Sequence, residues 1–282
     1  MAENLDRLKD WIGKKESKAD IATAWPVAAM SATFDRGDPE PRQGDSIPPG
    51  WHWLYFLEAK PASELGTDGH PRRGGFLPPV PLPRRMWAGG RIEFHRPLRV
   101  GDEVRRDSEI LAVDPKQGKS GSLVFVTVRH TVHSGGAVAV VEEHDIVYRD
   151  AAKPTDPAPQ PKAAPASAQW RREMAPDAVL LFRFSALTFN GHRIHYDLDY
   201  VRNDEHYPGL IVHGPMQTLL MLDLCRRNDE RPVRKLDYRA LHPVFHTERM
   251  TINGIPGADD SQVDLWTANG AGNYAMRGTA TL

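Results

Sequence analysis

The sequence predicts an α+β chain of two strand-rich modules, the second folded around one long buried helix. Three observations predict it. Residues 216–224 carry Met216, Leu219, Leu220, Met221, Leu222 and Leu224 almost without polar interruption, and a helix that is apolar nearly all round must be covered on nearly all sides. Strand-like runs occur in two regions: 122–132 and 137–148 are rich in Val, Phe and Thr, and similar runs return at 250–255, 262–268 and 274–282. Between the two regions, residues 150–169 are rich in proline and alanine and free of periodic apolar positions, which is the composition of a linker.

Taken in order, the chain begins with Leu5, Leu8, Trp11 and Ile12 at helical intervals among acids and bases. This segment lacks the apolar core of a signal peptide, and Glu3, Asp6 and Asp10 argue against a transit peptide, so a cytoplasmic location is expected. No run reaches the length of a membrane span. The 282 residues are 40% hydrophobic and 26% charged, with 36 Lys and Arg against 37 Asp and Glu for a net charge of -1. Neither nucleic acid nor an anionic membrane is advertised as a partner. Residues 45–90 are rich in proline and glycine around an aromatic group, Trp51, Trp53, Tyr55 and Phe56, expected to pack as a short helix or strand. Loops this long often serve function, and Arg72, Arg73, Arg84 and Arg85 either meet phosphates there or stay solvated. From residue 91 to 149 the chain reads as strands, with Gly135-Gly136 closing a hairpin.

A weak repeat links the two strand regions. Phe94-His95-Arg96-Pro97-Leu98, running on to Val104, aligns with Ala240-Leu241-His242-Pro243-Val244, running on to Met250. Two copies imply two half-similar domains: 1–149, a linker at 150–169, and 170–282. The one cysteine, Cys225, falls inside the apolar helix and reads as a packed small hydrophobe.

The chemistry concentrates in residues 189–214. Asn190, His192, Arg193, His195, Asp197 and His213 precede the apolar helix, and Pro215 sits where a first helical turn tolerates proline. Gly214 then lies at the N-terminus of a buried helix, where free N–H groups and the dipole can hold developing negative charge. No G-x-G-x-x-G or G-x-S-x-G stretch occurs, which removes the usual grounds for a dinucleotide cofactor or a serine hydrolase. His192, His195, His206 and His213 match no familiar metal spacing, so no metal is expected.

The run F-N-G-H-R-I-H-Y-D, followed by V-H-G at Val212 to Gly214, resembles the G-D-x-N-P-x-H-x-D signature and helix opening of the MaoC-like hotdog hydratases. His195 fills the signature histidine and Asp197 the aspartate two residues on. Asn190, His192 and Arg193 replace the signature aspartate, asparagine and proline, a variant similar to the two-hotdog subgroup that contains mesaconyl-C(4)-CoA hydratase, itaconyl-CoA hydratase and mitochondrial-type 3-hydroxyacyl thioester dehydratases. R-P-L-R-V-G-D-E-V also resembles the turn that hotdog domains carry after their helix. The resemblance implies a double hotdog, its N-terminal helix region degenerate, with catalysis in the C-terminal half and pocket walls from the N-terminal half. One chain then supplies the pairing that single-hotdog relatives obtain by dimerising, and a homodimer of such chains stays open.

Adding water to a 2-enoyl thioester needs a base for the water, an acid for the alpha carbon and donors for the enolate oxygen. His195 suits the proton work, because imidazole titrates near neutrality. Gly214 N–H suits the oxyanion, and Asn190, unable to take a proton, can orient the water. Arg193 could pair with the free carboxylate of a dicarboxylic acyl-CoA or with a coenzyme A phosphate. His192, His213, Asp197 and Tyr200 are expected to support and line the substrate site. The reading is a hydro-lyase acting on a short branched or dicarboxylic enoyl-CoA, with coenzyme A part of the substrate and no separate cofactor. A fatty-chain 3-hydroxyacyl thioester dehydratase and a non-catalytic acyl-thioester binder stand as alternatives.

Overall fold

A computed structural model describes residues 5–118, 121–150 and 160–282. The N-terminal half starts with a 3-10 turn, Leu5–Trp11, and continues with β1 (Lys15–Ile21) and α1 (Ala24–Thr33). Short 3-10 turns at Trp51–Leu54 and Ala62–Glu64 interrupt a long irregular stretch, after which come β2 (Arg84–Phe94), β3 (Glu103–Gly118), β4 (Gly121–Ser134) and β5 (Ala137–Arg149). The C-terminal half holds β6 (Trp170–Met174), α2 (Ala178–Leu187), a 3-10 turn at Arg193–His195, α3 (Leu198–Asn203) and α4 (Gly214–Asn228). It ends in β7 (Lys235–Ala240), β8 (Met250–Pro256), β9 (Gln262–Ala268) and β10 (Tyr274–Thr281).

All ten strands form one antiparallel sheet in the order β1-β3-β4-β5-β2-β7-β10-β9-β8-β6. Reading outward from the centre, each half repeats the same order, so the sheet has a pseudo-twofold across the β2–β7 seam. The repeat legible in the sequence marks equivalent points of the two halves. His95 and Arg96 N–H both donate to the Ala139 carbonyl on β5, and Leu241 and His242 N–H both donate to the Ala275 carbonyl on β10. At the seam Gly89 and Gly90 pair with Arg239 and Tyr238. A side chain at Gly89 would stand 2.5 Å from the Tyr238 carbonyl oxygen, so the seam closes only with glycine there.

Helix α4 is the axis of the C-terminal hotdog. Met216, Leu219, Leu220, Met221, Leu222 and Leu224 are all buried, and the sheet and α1–α2 cover them. In the N-terminal half the equivalent place holds only the Trp51–Leu54 turn, which answers to the expected degenerate helix. Gly50, at φ 85°, admits that turn because any side chain would meet Leu219 and Leu222 of α4. The buried Asp223 of α4 gathers Arg36, Arg172 and Arg227, so one carboxylate ties α4 to both halves.

Three elements differ from the sequence reading. Helix α1 went unnoticed because Pro26 obscures its start, yet proline is harmless in a first turn whose N–H groups are unpaired anyway. Strand β2 begins at Arg84, inside the stretch read as loop, since the prolines at 81 and 83 precede it and its two glycines are spent on the seam. Of the proposed linker, residues 151–159 lie outside the described residues, and residues 160–169 form no helix or strand, meeting the sheet by the isolated Ala163–Asn273 bridge. Among the described residues no helix is long and apolar enough to cross a membrane.

Candidate active site

The segment after α2 is shaped by local polar bonds. Asn190 N–H donates to the Ser185 carbonyl at 2.8 Å, and the Asn190 Oδ1 accepts the His192 N–H at 3.0 Å. That bond fixes which end of the amide faces the backbone, and Asn190 also lines the cleft. The Arg193–His195 turn follows, and it presents His195, 6% exposed, to the entrance of α4.

His195 Nδ1 lies 2.7 Å from the Ile211 carbonyl oxygen. A carbonyl only accepts, so Nδ1 carries the proton and Nε2 of the neutral ring is a free acceptor. Burial pushes the His195 imidazole down to about 3, which keeps it neutral at ordinary pH. Its ring stacks on His213 at 3.6 Å and 19°. His213 is wholly buried, bonded through Nε2 to Ser185 Oγ at 2.8 Å, and likewise held neutral by burial. It packs and orients His195 from behind.

A loop from the N-terminal half completes the group. Asp68 accepts from His70 Nδ1 at 3.2 Å, and the His70 ring packs on His192 with centroids 4.1 Å apart. Arg193 N–H donates to the Asp68 carbonyl at 2.9 Å. The two loops touch at paired glycines: a side chain at Gly69, at φ 86°, would fall 2.0 Å from the Gly191 carbonyl oxygen. Burial, then the neighbouring imidazoles, lowers His192 to about 2; burial, then the Asp68 bond and the charges of Arg85 and Arg73, leave His70 lowered overall. Burial opposes ionisation of Asp68, yet the His70 bonds outweigh it and hold that carboxyl well below its usual range.

The donor atoms of Asp68, His70 and His192 lie within 4.8 Å of one another, and among the described residues this is the one set able to converge on a cation. The histidine-spacing argument had no access to it, because Asp68 and His70 are over a hundred positions away in sequence. They are the site residues that sequence reading missed.

A cleft of about 2020 Å³ runs between the halves and takes in Asn190, His192, His195 and Gly214. Trp87 of β2 lies against Gly214, where a side chain would meet the indole at 3.3 Å. The N-terminal half thus covers the start of α4 directly. It also contributes a buried carboxylate, Glu142, which accepts from Trp53 Nε1 at 2.8 Å and sits 3.0 Å from His52 Nε2.

The other expected substrate-binding residues are placed differently. Arg193 grips Asp197 through Nε and Nη2 at 2.9 and 2.8 Å, donates to the Thr67 carbonyl and lies over the Tyr200 ring at 4.2 Å. With its charge already matched, it does not line the cleft. Asp197 also caps α3 through Tyr200 N–H, and Tyr200 donates to Glu205. These three residues are engaged with one another in the loop and do not line the cleft, while His192 does reach the cleft wall and His213 stands behind His195.

Two hotdogs share one sheet, with neutral histidines at the N-terminus of the buried helix, and the relatives of this chain are hydro-lyases. Residues 50–246 match the family model described as hydroxyacyl-thioester dehydratase type 2. The chain is 43% identical over 274 residues to mesaconyl-C(4)-CoA hydratase of Chloroflexus aurantiacus, covering 96% of each protein. The fold also matches a MaoC-like dehydratase from Phytophthora capsici (TM-score 0.70, 12% identity, 99% of this chain and 98% of that one). A Mycobacterium tuberculosis protein described as a double hotdog matches with TM-score 0.59 and 14% identity, covering 98% of this chain and 97% of that one. This chain belongs to the hydroxyacyl-thioester dehydratase type 2 family. The resemblance carried by residues 189–214 is borne out at the level of family, fold and reaction class.

Proposed function

We propose that the chain catalyses reversible addition of water to a short branched or dicarboxylic 2-enoyl-CoA, of the mesaconyl-C(4)-CoA or itaconyl-CoA type. The observation that carries this is His195: neutral, with Nε2 unengaged by Ile211, beside the first N–H groups of α4. Identity to mesaconyl-C(4)-CoA hydratase over nearly the whole chain supports the substrate class.

The thioester carbonyl lies against Gly214 N–H, where the helix dipole favours the enolate oxygen. Asn190 Nδ2 donates to the water oxygen, turning a water proton toward His195 Nε2. His195 removes that proton as the oxygen attacks the beta carbon, and the imidazolium returns it to the alpha carbon. Water ends divided between the two carbons, and no oxidant or second substrate enters. Coenzyme A arrives as part of the substrate, and the scheme needs no separate cofactor.

In this reading residues 170–282 carry the catalysis and residues 1–149 form the wall over it, with 150–169 as the connection. Both hotdogs of the pair lie in one chain, so a homodimer would join two complete sites. A cytoplasmic location fits the single buried cysteine, Cys225, whose thiol burial pushes up to about 12.

The test is product analysis with mesaconyl-C(4)-CoA. A mass gain of one water with no thiol released supports the hydratase; free coenzyme A would mark a thioesterase, and binding without turnover a thioester-binding protein.

A further inference from the structure

The stretch before and into β2 sends four arginines toward the cleft, and three are already engaged. Arg84 pairs with Glu205, Nε to Oε2 at 3.2 Å, and donates to its carbonyl at 2.9 Å. Arg73 donates to the carbonyls of Val80, Leu82 and Pro83. Arg72 donates to the Leu65 carbonyl. Arg193, the residue the sequence pointed to, is matched by Asp197. Arg85 is different. Among the described residues no carboxylate forms an ion pair with it, and across the strand pair it stands opposite Tyr148, whose buried hydroxyl has no hydrogen-bond partner.

Its position is set by the sheet. Arg85 pairs with Tyr148 and Trp87 with Ile146 across β2 and β5. Residues two apart on a strand share a face, so the Arg85 Cα stands one repeat, about 6.6 Å, along the strand from that of Trp87, whose indole covers Gly214. It lines the same cleft as His192, His195 and Gly214. Its charge is felt at His70 and His192 on the facing loops, where it further disfavours protonation.

We infer that Arg85 is the specificity residue that pairs with the free carboxylate of a short dicarboxylic enoyl-CoA whose thioester carbonyl lies at Gly214. This rests on the hydratase reading above. The two carboxyl carbons of a trans four-carbon diacid are three bonds apart, about 3.8 Å as between Cα atoms across a trans peptide. Such a substrate, with hydrogen bonds at both ends, spans from the α4 N-terminus toward a guanidinium one strand repeat beyond Trp87. A planar guanidinium takes a carboxylate by two parallel bonds. A methyl-ended acyl group would instead leave that charge facing carbon, and sites built for a polar group reject analogues lacking it strongly.

The experiment compares kcat/KM on mesaconyl-C(4)-CoA and crotonyl-CoA for the full-length chain and its Arg85→Gln and Arg85→Lys variants, with thermal unfolding run alongside. The unsubstituted enzyme must first prefer the dicarboxylic thioester; equal rates would overturn the substrate class itself, whatever Arg85 does. Given that preference, Arg85→Gln is expected to lose at least about 100-fold on mesaconyl-C(4)-CoA and less than about fivefold on crotonyl-CoA, as when one member of a desolvated charge pair is removed. Arg85→Lys keeps the charge without the fork and is expected to recover part of the loss. Equal losses on both substrates would assign Arg85 to the coenzyme or to catalysis and overturn the inference. So would no loss on either, with melting unaltered.

Discussion

The division of labour among the histidines follows from what each ring nitrogen touches. His195 donates a hydrogen bond from Nδ1 to the Ile211 carbonyl, leaving Nε2 for the proposed proton transfer, whereas His213 is buried against Ser185 and backs the His195 ring. His195→Ala is therefore expected to lower kcat by roughly 10²- to 10⁴-fold with little change in melting, the range for removing a positioned acid–base group. Steady-state kinetics beside thermal unfolding checks this; retained turnover would contradict it. Asn190→Ala removes the acceptor for His192 N–H and, on the proposed mechanism, the donor to water, and is expected to lower kcat more than it raises KM. His195, Asn190 and Gly214 could be picked out in the sequence because they lie within 25 positions of one another. The engagement of Arg193 by Asp197 had a signal in their spacing: residues four apart pair readily on one turn of chain. Asp68 and His70 could not be read, because only the tertiary fold brings their loop to His192.

At the scale of elements, the site depends on two loops from different halves meeting at glycines. Gly69→Ala would place a methyl group against the Gly191 carbonyl and strain a left-handed backbone, so the Asp68–His70 loop must shift. We expect about 1–3 kcal/mol of lost stability and a drop in kcat/KM, read by denaturant unfolding and kinetics; a variant equal to the parent in both would contradict the docking. The buried Asp223 is a second such joint. Asp223→Ala strands three arginines, and removing one member of a buried ion pair costs about 3–5 kcal/mol. Helix α4 was legible from its long apolar run, and the strands from β4 to β5 and β8 to β10 from their β-branched and aromatic residues. Helix α1 and strand β2 were not, since proline and glycine there serve a helix start and the seam rather than turns.

The whole molecule is one sheet with two hotdog halves sharing a cleft, and burying so many titratable groups in it has a consequence for stability. Burial holds His192, His195, His130 and His144 down to about 2, 3, 3 and 4, whereas an unfolded histidine titrates near 6.5. Between those values the unfolded chain binds more protons, so stability falls as pH falls below about 6.5. Glu142 adds in the same direction at lower pH. Burial would raise it, but His52 and the neighbouring imidazoles bring it to about 2, so its stabilisation is lost as pH drops through that range. The urea midpoint should hold between pH 7 and 8 and decline steadily from 6.5 to 5; a constant midpoint would contradict the buried neutral histidines. In the mechanism we propose, His195 at the start of α4 hydrates an enoyl thioester under the roof supplied by the other half. The most direct measurement follows enoyl-thioester absorbance on mesaconyl-C(4)-CoA with the unsubstituted chain and with folded His195→Ala. Loss of absorbance in the first and none in the second is the predicted result; equal rates in both, or no change with either, would contradict it.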